Sequence, residues 1–210
     1  MWNWTFIHPE QDRLISIREW ARLQSFPDNF VFYWSKGSQY KEIWNAVPPL
    51  LWRAIAELIK PYVENKSFVD LFAWAWWISL WFEMGWFHSE WCIELVEHYY
   101  ETYVKNKKSF LDSFICGDIT QEEVRLSLVE KVRDKKIWVI IWWPPCQGFS
   151  LAWLRNPDDP RNKLFMDYVK IVEKIKPEMF VMENVPGILS MQWGKVIEAI
   201  LKSFRDIWYY

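Results

Sequence analysis

Residues 137–150 read I-W-V-I-I-W-W-P-P-C-Q-G-F-S. Ile137 to Ile141 is a continuous apolar run, the pattern of a strand buried on both faces, and Pro144-Pro145 stops it because proline has no N–H for the ladder. The chain then delivers one thiol, Cys146, into a polar segment that continues through Asn156-Pro157-Asp158-Asp159-Pro160. Open α/β sheets bind ligands beyond the carboxyl ends of their strands, so a cysteine placed there stands where chemistry is done. A lone cysteine is more often a small buried hydrophobe. The Pro-Pro-Cys-Gln-Gly-Phe-Ser context argues for the functional reading.

Outward from this stretch the chain alternates. Strands are predicted at Phe68–Phe72, Trp91–Leu95, around Gly117-Asp118 within Phe114–Ile119, and at Glu178–Met182. Helices are predicted at Trp76–Trp86, Val96–Lys105, Gln121–Lys131, Lys163–Lys176 and Ser190–Phe204. Strands separated by helices of this length indicate an α/β fold, a mostly parallel, doubly wound sheet with helices on both faces. Before the first strand lie two more helices. One begins at Ile17, with Ser16 and Glu19 spaced as a capping box, and the other spans Leu50–Val63. Trp34 to Ser38 between them reads as a loop, and Asn65-Lys66-Ser67 as a hinge. Two parts are expected, 1–66 packing on an α/β domain at 67–210.

Composition sets bounds. No apolar run reaches the about 18 residues of a membrane span, so no membrane role is expected. Cys92, Cys116 and Cys146 have no metal-ligand spacing and cannot all pair, which suits a reducing cytoplasm and predicts no metal site. The net charge of -2 is not the basic footprint of a chain that grips DNA unaided. Tryptophan is abnormal: 18 residues against six glycines, many of them where a turn glycine would be expected.

Three strand ends carry acids. Asp70 opens D-L-F-A-W-A-W-W at a strand-to-helix turn, where helix N-terminal amides meet nucleotide ligands. Glu94 follows Asp70 by twenty-four positions, close to the spacing of a carboxylate that accepts from ribose hydroxyls. Asp118, past the third strand, is placed to accept from an adenine amino group. Each alone is as readily a helix cap. Glu183, in Glu183-Asn184-Val185-Pro186, ends the strand after the Cys146 segment and lies thirty-seven residues from it, one crossover helix plus one strand.

The string P-P-C-Q-G-F-S, with E-N-V at 183–185 and D-L-F-A-W-A-W-W at 70–77, resembles the motifs of the DNA (cytosine-5) methyltransferases. The resemblance covers nearly the whole chain and implies a Rossmann-like S-adenosylmethionine-dependent methyltransferase fold. It implies Cys146 as the nucleophile that adds to carbon 6 of cytosine, Glu183 as the acid at ring nitrogen 3, and Asn184 as a support of that loop. S-adenosylmethionine is the implied cofactor. Phe72, Ala73 and Trp74 lie in its first motif, Glu94 on the ribose, and Asp118 and Ile119 at the base. Pro145 and Leu164 line the same pocket, and Asn45, Ala46 and Val47 in a G-N-A-V-like segment help hold the methionine end. Double-stranded DNA is the implied substrate, with the target base flipped out. Gln147, Ser150, Arg155 and Arg161 lie in the loop that would meet it.

Two departures from the family pattern shape the expectations. R-E-W-A-R-L-Q (18–24) and Asn45-Ala46-Val47 precede the Asp70 motif instead of following it, so the chain resembles a circular permutant. No Q-x-R-x-R-like segment or target-recognition region is found, so a second polypeptide is expected to supply them. Tryptophans 74, 76, 77, 142 and 143 stand where the family has glycine or another small residue. Taken as bulky indoles they are expected to weaken cofactor binding, and the alternative reading is an inactive scaffold of the same fold, acting in assembly or DNA binding.

Overall fold

The computed structural model describes residues 7–73, 77–106, 113–143, 160–184, 186–190 and 194–209, with the backbone alone at 77, 78, 98, 160–163 and 190. Five strands, β1 (Ser67–Asp70), β2 (His88–Glu94), β3 (Phe114–Cys116), β4 (Val139–Trp142) and β5 (Met179–Met182), form one sheet in the order β3-β2-β1-β4-β5. Every pairing is parallel, with Asp70 opposite Cys92 on one side and Ile141 on the other. All carboxyl ends therefore lie along one edge.

Alternation along the strands divides the core in two. Phe68, Val139 and Ile141 face one way, into a cluster with Trp52, Ala56 and Phe82. Val69, Ile140 and Trp142 face the other, onto Leu128, Phe165, Tyr168 and Phe204. These are the two faces of a strand with period 2. Phe68, Val69, Val139, Ile140 and Ile141 are all fully buried, each burial worth roughly 2 kcal/mol. The expected two-sided coverage of a parallel sheet is thus observed.

The first face is covered by α1 (Ile17–Leu23), α2 (Lys36–Asn45), α3 (Pro49–Ile59) and α4 (Trp77–Met84). The capping box forms as expected: the Ser16 hydroxyl accepts from the Glu19 amide at 3.2 Å, and Glu19 Oε2 accepts from the Ser16 amide at 2.7 Å. Trp34–Ser38 is not a loop throughout. Ser35 caps α2, accepting from the Ser38 amide at 3.3 Å, and the helix begins at Lys36, through Gly37 and Ser38. A side-chain cap outweighed two weak helix formers. The Leu50–Val63 helix ends as α at Ile59 and continues as a 3-10 turn at Lys60–Tyr62, where Pro61 interrupts the α ladder. Next to α4, Gly85 is required by close approach: a Cβ there would stand 2.4 Å from the Ala56 Cβ.

The remaining helices are α5 (Glu97–Asn106), α6 (Glu122–Lys131), α7 (Pro160–Ile175), α8 (Gly187–Ser190) and α9 (Lys195–Asp206). The single helix expected at Ser190–Phe204 is instead the short α8 and then α9, which starts after Gly194 at φ 86. Helix α6 is fastened to α7 by a buried ion pair, Arg125 Nη1 to Asp167 Oδ1 at 3.0 Å. The same Nη1 donates to the Ile119 carbonyl at 2.8 Å, and Lys170 reaches Asp167 from one turn on. No helix among the described residues is long and apolar enough to cross a membrane.

Candidate active site

At three consecutive strand ends a carboxylate folds back onto the amide two residues ahead. The Phe72 N–H donates to Asp70 Oδ1 at 3.2 Å, the Val96 N–H to Glu94 Oε1 at 2.9 Å, and the Thr120 N–H to Asp118 Oδ1 at 2.8 Å. Each acid shapes the turn that its own strand enters. The helix-cap alternative weighed for these acids thus becomes, in all three, a turn bond.

Their further engagements differ. Asp70 is completely buried and its second oxygen accepts from the Ser79 hydroxyl at 2.8 Å, so both oxygens serve the β1–α4 turn. Burial lifts its pKa to about 6, against the opposing pull of those two bonds. Glu94 is 5 % exposed and lifted to about 7, by burial first, with the Asp70 charge adding to it. Asp118 is half-buried, and Ile119 beside it is buried with its carbonyl taken by Arg125.

Glu42 was not foreseen. It lies in α2, fully buried, and neither carboxylate oxygen has a hydrogen-bond partner among the described residues. Burial alone lifts its pKa to about 8. The Tyr99 hydroxyl, raised to about 12 chiefly by burial, feels the charges of both Glu42 and Glu94. None of Glu42, Asp70 and Glu94 is paired with a cation among the described residues. An unpaired buried carboxylate is costly, and a bound cation would relieve that cost. Glu42, raised to about 8, is protonated at neutral pH, so the negative charge that fits a positively charged ligand resides on Asp70 and Glu94, at about 6 and about 7. Reading 34–38 as a loop concealed Glu42, because the helical register that puts Ile43 and Ala46 inward also carries their neighbour in. No sequence signal marked Ser79 or the Arg125–Asp167 pair.

Of the other expected cofactor contacts, Phe72 is half-buried and Ala73 buried at the end of β1. Phe72 and Leu164 both pack against the same core cluster. Asn45 is exposed at the end of α2, Ala46 is buried and Val47 half-buried in the opposite cluster. On the β4 side an indole fills the space: Trp142 stacks on Tyr168 with ring centroids 4.2 Å apart, 5.7 Å from Phe165 and 6.4 Å from Phe72.

Glu183 directly follows β5, and its N–H donates to the Trp142 carbonyl at 3.2 Å, which extends the β4–β5 ladder by one bond. It is half-buried, and burial raises its carboxyl above the usual range. Asn184 beside it is also half-buried. Cys146 lies four positions past Trp142 in sequence. Trp74, Pro145, Cys146, Gln147, Ser150 and Arg155 lie outside the described residues, as does the Arg161 side chain.

The profile of the C-5 cytosine-specific DNA methylase family matches residues 3–61 and 66–210. The chain belongs to that family. It is 35% identical over 154 residues to the type II methyltransferase M1.HphI of Haemophilus parahaemolyticus, covering 70% of this chain and 40% of that protein. It is 38% identical over 151 residues to M.DdeI of Desulfomicrobium norvegicum, covering 68% of this chain and 34% of the relative. With M.FnuDI of Fusobacterium nucleatum the identity is 35% over 142 residues, 67% of this chain and 38% of the relative. The chain thus spans well under half the length of these relatives.

Proposed function

We propose that this chain is the cofactor-binding and catalytic part of a DNA (cytosine-5) methyltransferase, acting on a cytosine flipped from double-stranded DNA. The observation that carries the reading is Glu183, a half-buried acid with a raised pKa at the end of β5. It is hydrogen-bonded through its own amide to the end of β4, the strand from which the Cys146 segment departs.

Cytosine carbon 5 is too weak a nucleophile to take a methyl group unaided. The Cys146 thiolate adds to carbon 6 while the Glu183 carboxyl gives its proton to ring nitrogen 3, which leaves an enamine with electron density at carbon 5. When bound, S-adenosylmethionine supplies an electrophilic methyl group on a sulfonium. After transfer a base removes the carbon 5 proton, the carbon–sulfur bond breaks to regenerate the thiolate, and ring nitrogen 3 returns its proton to Glu183. Burial keeps Glu183 protonated to higher pH, as an acid in this role requires. Asn184 supports its loop.

For the cofactor, Glu94 takes the ribose, Asp118 and Ile119 the base, and Phe72 and Ala73 the adenosine. Leu164, Asn45, Ala46 and Val47 complete the pocket, with Trp74 and Pro145 from the adjoining segments. The charge of Asp70 and Glu94, unpaired with a cation among the described residues, supports a cationic ligand there. The DNA loop carries Gln147, Ser150, Arg155 and Arg161. A second polypeptide bearing the arginine motif and target-recognition region completes the enzyme, a reading that the net charge of -2 supports. The permuted order is read from R-E-W-A-R-L-Q (18–24) and Asn45-Ala46-Val47 standing ahead of the Asp70 motif.

A second reading, an inactive scaffold, is favoured by one observation: the Trp142 indole occupies space beside Phe72. Covalent trapping decides between them. With the partner and cofactor present, a duplex containing 5-fluorocytosine is expected to be captured by the parent chain and not by Cys146→Ser. No capture by the parent chain with cofactor bound would sink the catalytic reading.

A further inference from the structure

Helix α4 ends in a six-residue Schellman cap: the Phe87 N–H donates to the Phe82 carbonyl at 3.4 Å and the Trp86 N–H to the Glu83 carbonyl at 2.9 Å. Helix α9 ends the same way, Tyr209 to Phe204 at 3.0 Å and Trp208 to Arg205 at 3.0 Å. The motif needs a left-handed residue at its fifth position, and glycine fills it by default because it has no Cβ to clash. Here that position holds tryptophan twice, Trp86 at φ 74 and Trp208 at φ 77. Trp34, just before the Ser35 cap of α2, is a third at φ 78. Among the described residues, three of the five non-glycine residues with positive φ are tryptophan; the others are Ser25 and Lys176. A bulky side chain in that region is an outlier.

The indoles stand largely in solvent, with Tyr33 edge-on to Trp34 and the Lys60 ammonium over the Trp86 ring. Trp34, Trp86 and Trp208 are 51%, 71% and 83% exposed. In the interior, Trp52, Trp81 and Trp138 each bury an indole N–H with no hydrogen-bond partner among the described residues, although a buried tryptophan ordinarily finds one. Composition agrees: six glycines in 210 residues are less than half of the usual share of about 7%.

We infer that positions 34, 86 and 208 are glycine in the protein as its source organism makes it, the triplet rendered here as tryptophan being one which that organism's ribosomes decode as glycine. Opal codons are read as tryptophan under one reassigned code and as glycine under another, and a chain translated by the wrong one acquires an indole at each position that triplet encodes, while positions encoded by the ordinary glycine triplets, such as Gly85 and Gly194, keep glycine. The fold supplies the discriminating sign, because a left-handed helix cap accepts glycine and resists an indole. The same decoding at position 142 removes the ring stacked on Tyr168 and opens the space beside Phe72. That consequence, unlike the assignment itself, rests on the proposed function.

Tandem mass spectrometry of peptides covering positions 34, 86 and 208, from the protein purified from its source, tests the assignment. Each peptide is expected to be lighter by the difference between an indolylmethyl group and a hydrogen; tryptophan at these positions overturns the inference. The recombinant chain gives a second reading. Trp86→Gly with Trp208→Gly is expected to raise the urea midpoint, whereas Leu23→Gly, an exposed apolar side chain on ordinary helical backbone, lowers it. A fall for the double variant also counts against the inference. Titration of Trp142→Gly with S-adenosylmethionine then tests the cofactor reading separately: tighter binding supports it, and glycine in the peptides with no binding sinks that reading alone.

Discussion

The Ser79 hydroxyl donates to Asp70 Oδ2 at 2.8 Å, both groups completely buried, and this bond ties the first turns of α4 to the end of β1. Asp70 thereby acts as the anchor of the proposed cofactor turn, while its neighbours Glu94 and Asp118 each carry an oxygen outside their own turn bond. Removing the donor strands a buried carboxylate oxygen. Ser79→Ala is expected to cost about 1–3 kcal/mol in urea denaturation at neutral pH. A midpoint equal to that of the parent chain would mean that the bond holds nothing.

Glu42 predicts a pH dependence with a definite sign. Its folded pKa, about 8, stands above the 4.5 of an ordinary glutamate, so folding favours the protonated form. Stability is fully present below pH 4.5 and is lost as pH rises through 8, by several kcal/mol at about 1.4 per unit. Glu94 and Asp70, lifted to about 7 and about 6, act in the same direction. Glu42→Gln is expected to flatten the decline between pH 5 and 9, followed by chemical denaturation at each pH. If the variant declines as steeply as the parent, Glu42 is not the group responsible.

The Arg125–Asp167 pair predicts an asymmetry. Arg125→Met leaves the Asp167 carboxylate buried with only Lys170, itself half-exposed, beside it, and the expected loss is about 3–5 kcal/mol. Arg125→Met combined with Asp167→Leu is expected to recover much of that loss, since no buried charge remains. Thermal unfolding of the single and double variants measures the difference. Equal destabilisation by both would show that the pair contributes shape and not charge compensation.

Glu183 predicts a pH-dependent rate. Its carboxyl is raised by burial, so the protonated acid persists to higher pH and methyl transfer by the assembled enzyme is expected to fall as pH climbs through that raised value. Glu183→Gln, which cannot supply the proton, is expected to lower turnover by about 100-fold or more, in the range of general acid catalysis, and to lose that falling limb. Radiolabelled methyl transfer measured across pH reports both effects. A variant with full activity would remove Glu183 from the mechanism.

The sequence by itself determined the five strands, their alternation with helices and the parallel sheet. Apolar runs stopped by proline or by an acid, with periodic helices between them, leave few other topologies. It also carried Glu94, Asp118 and Glu183 to strand ends, because those positions follow from where each apolar run stops. The helix α2 was hidden, since Gly37 and Ser38 are weak formers locally and it is held by the Ser35 cap, by burial of Ile43 and by Tyr40 and Trp44 against Trp20. Tertiary structure alone decided what is buried beside what: the Ser79–Asp70 bond, the Arg125–Asp167 pair and the unpartnered Glu42. These depend on helices from distant parts of the chain meeting one sheet, and no local pattern encodes the desolvation that results. It likewise decided which tryptophans sit on left-handed backbone, because φ at a helix cap is set by how the chain turns back toward its next element.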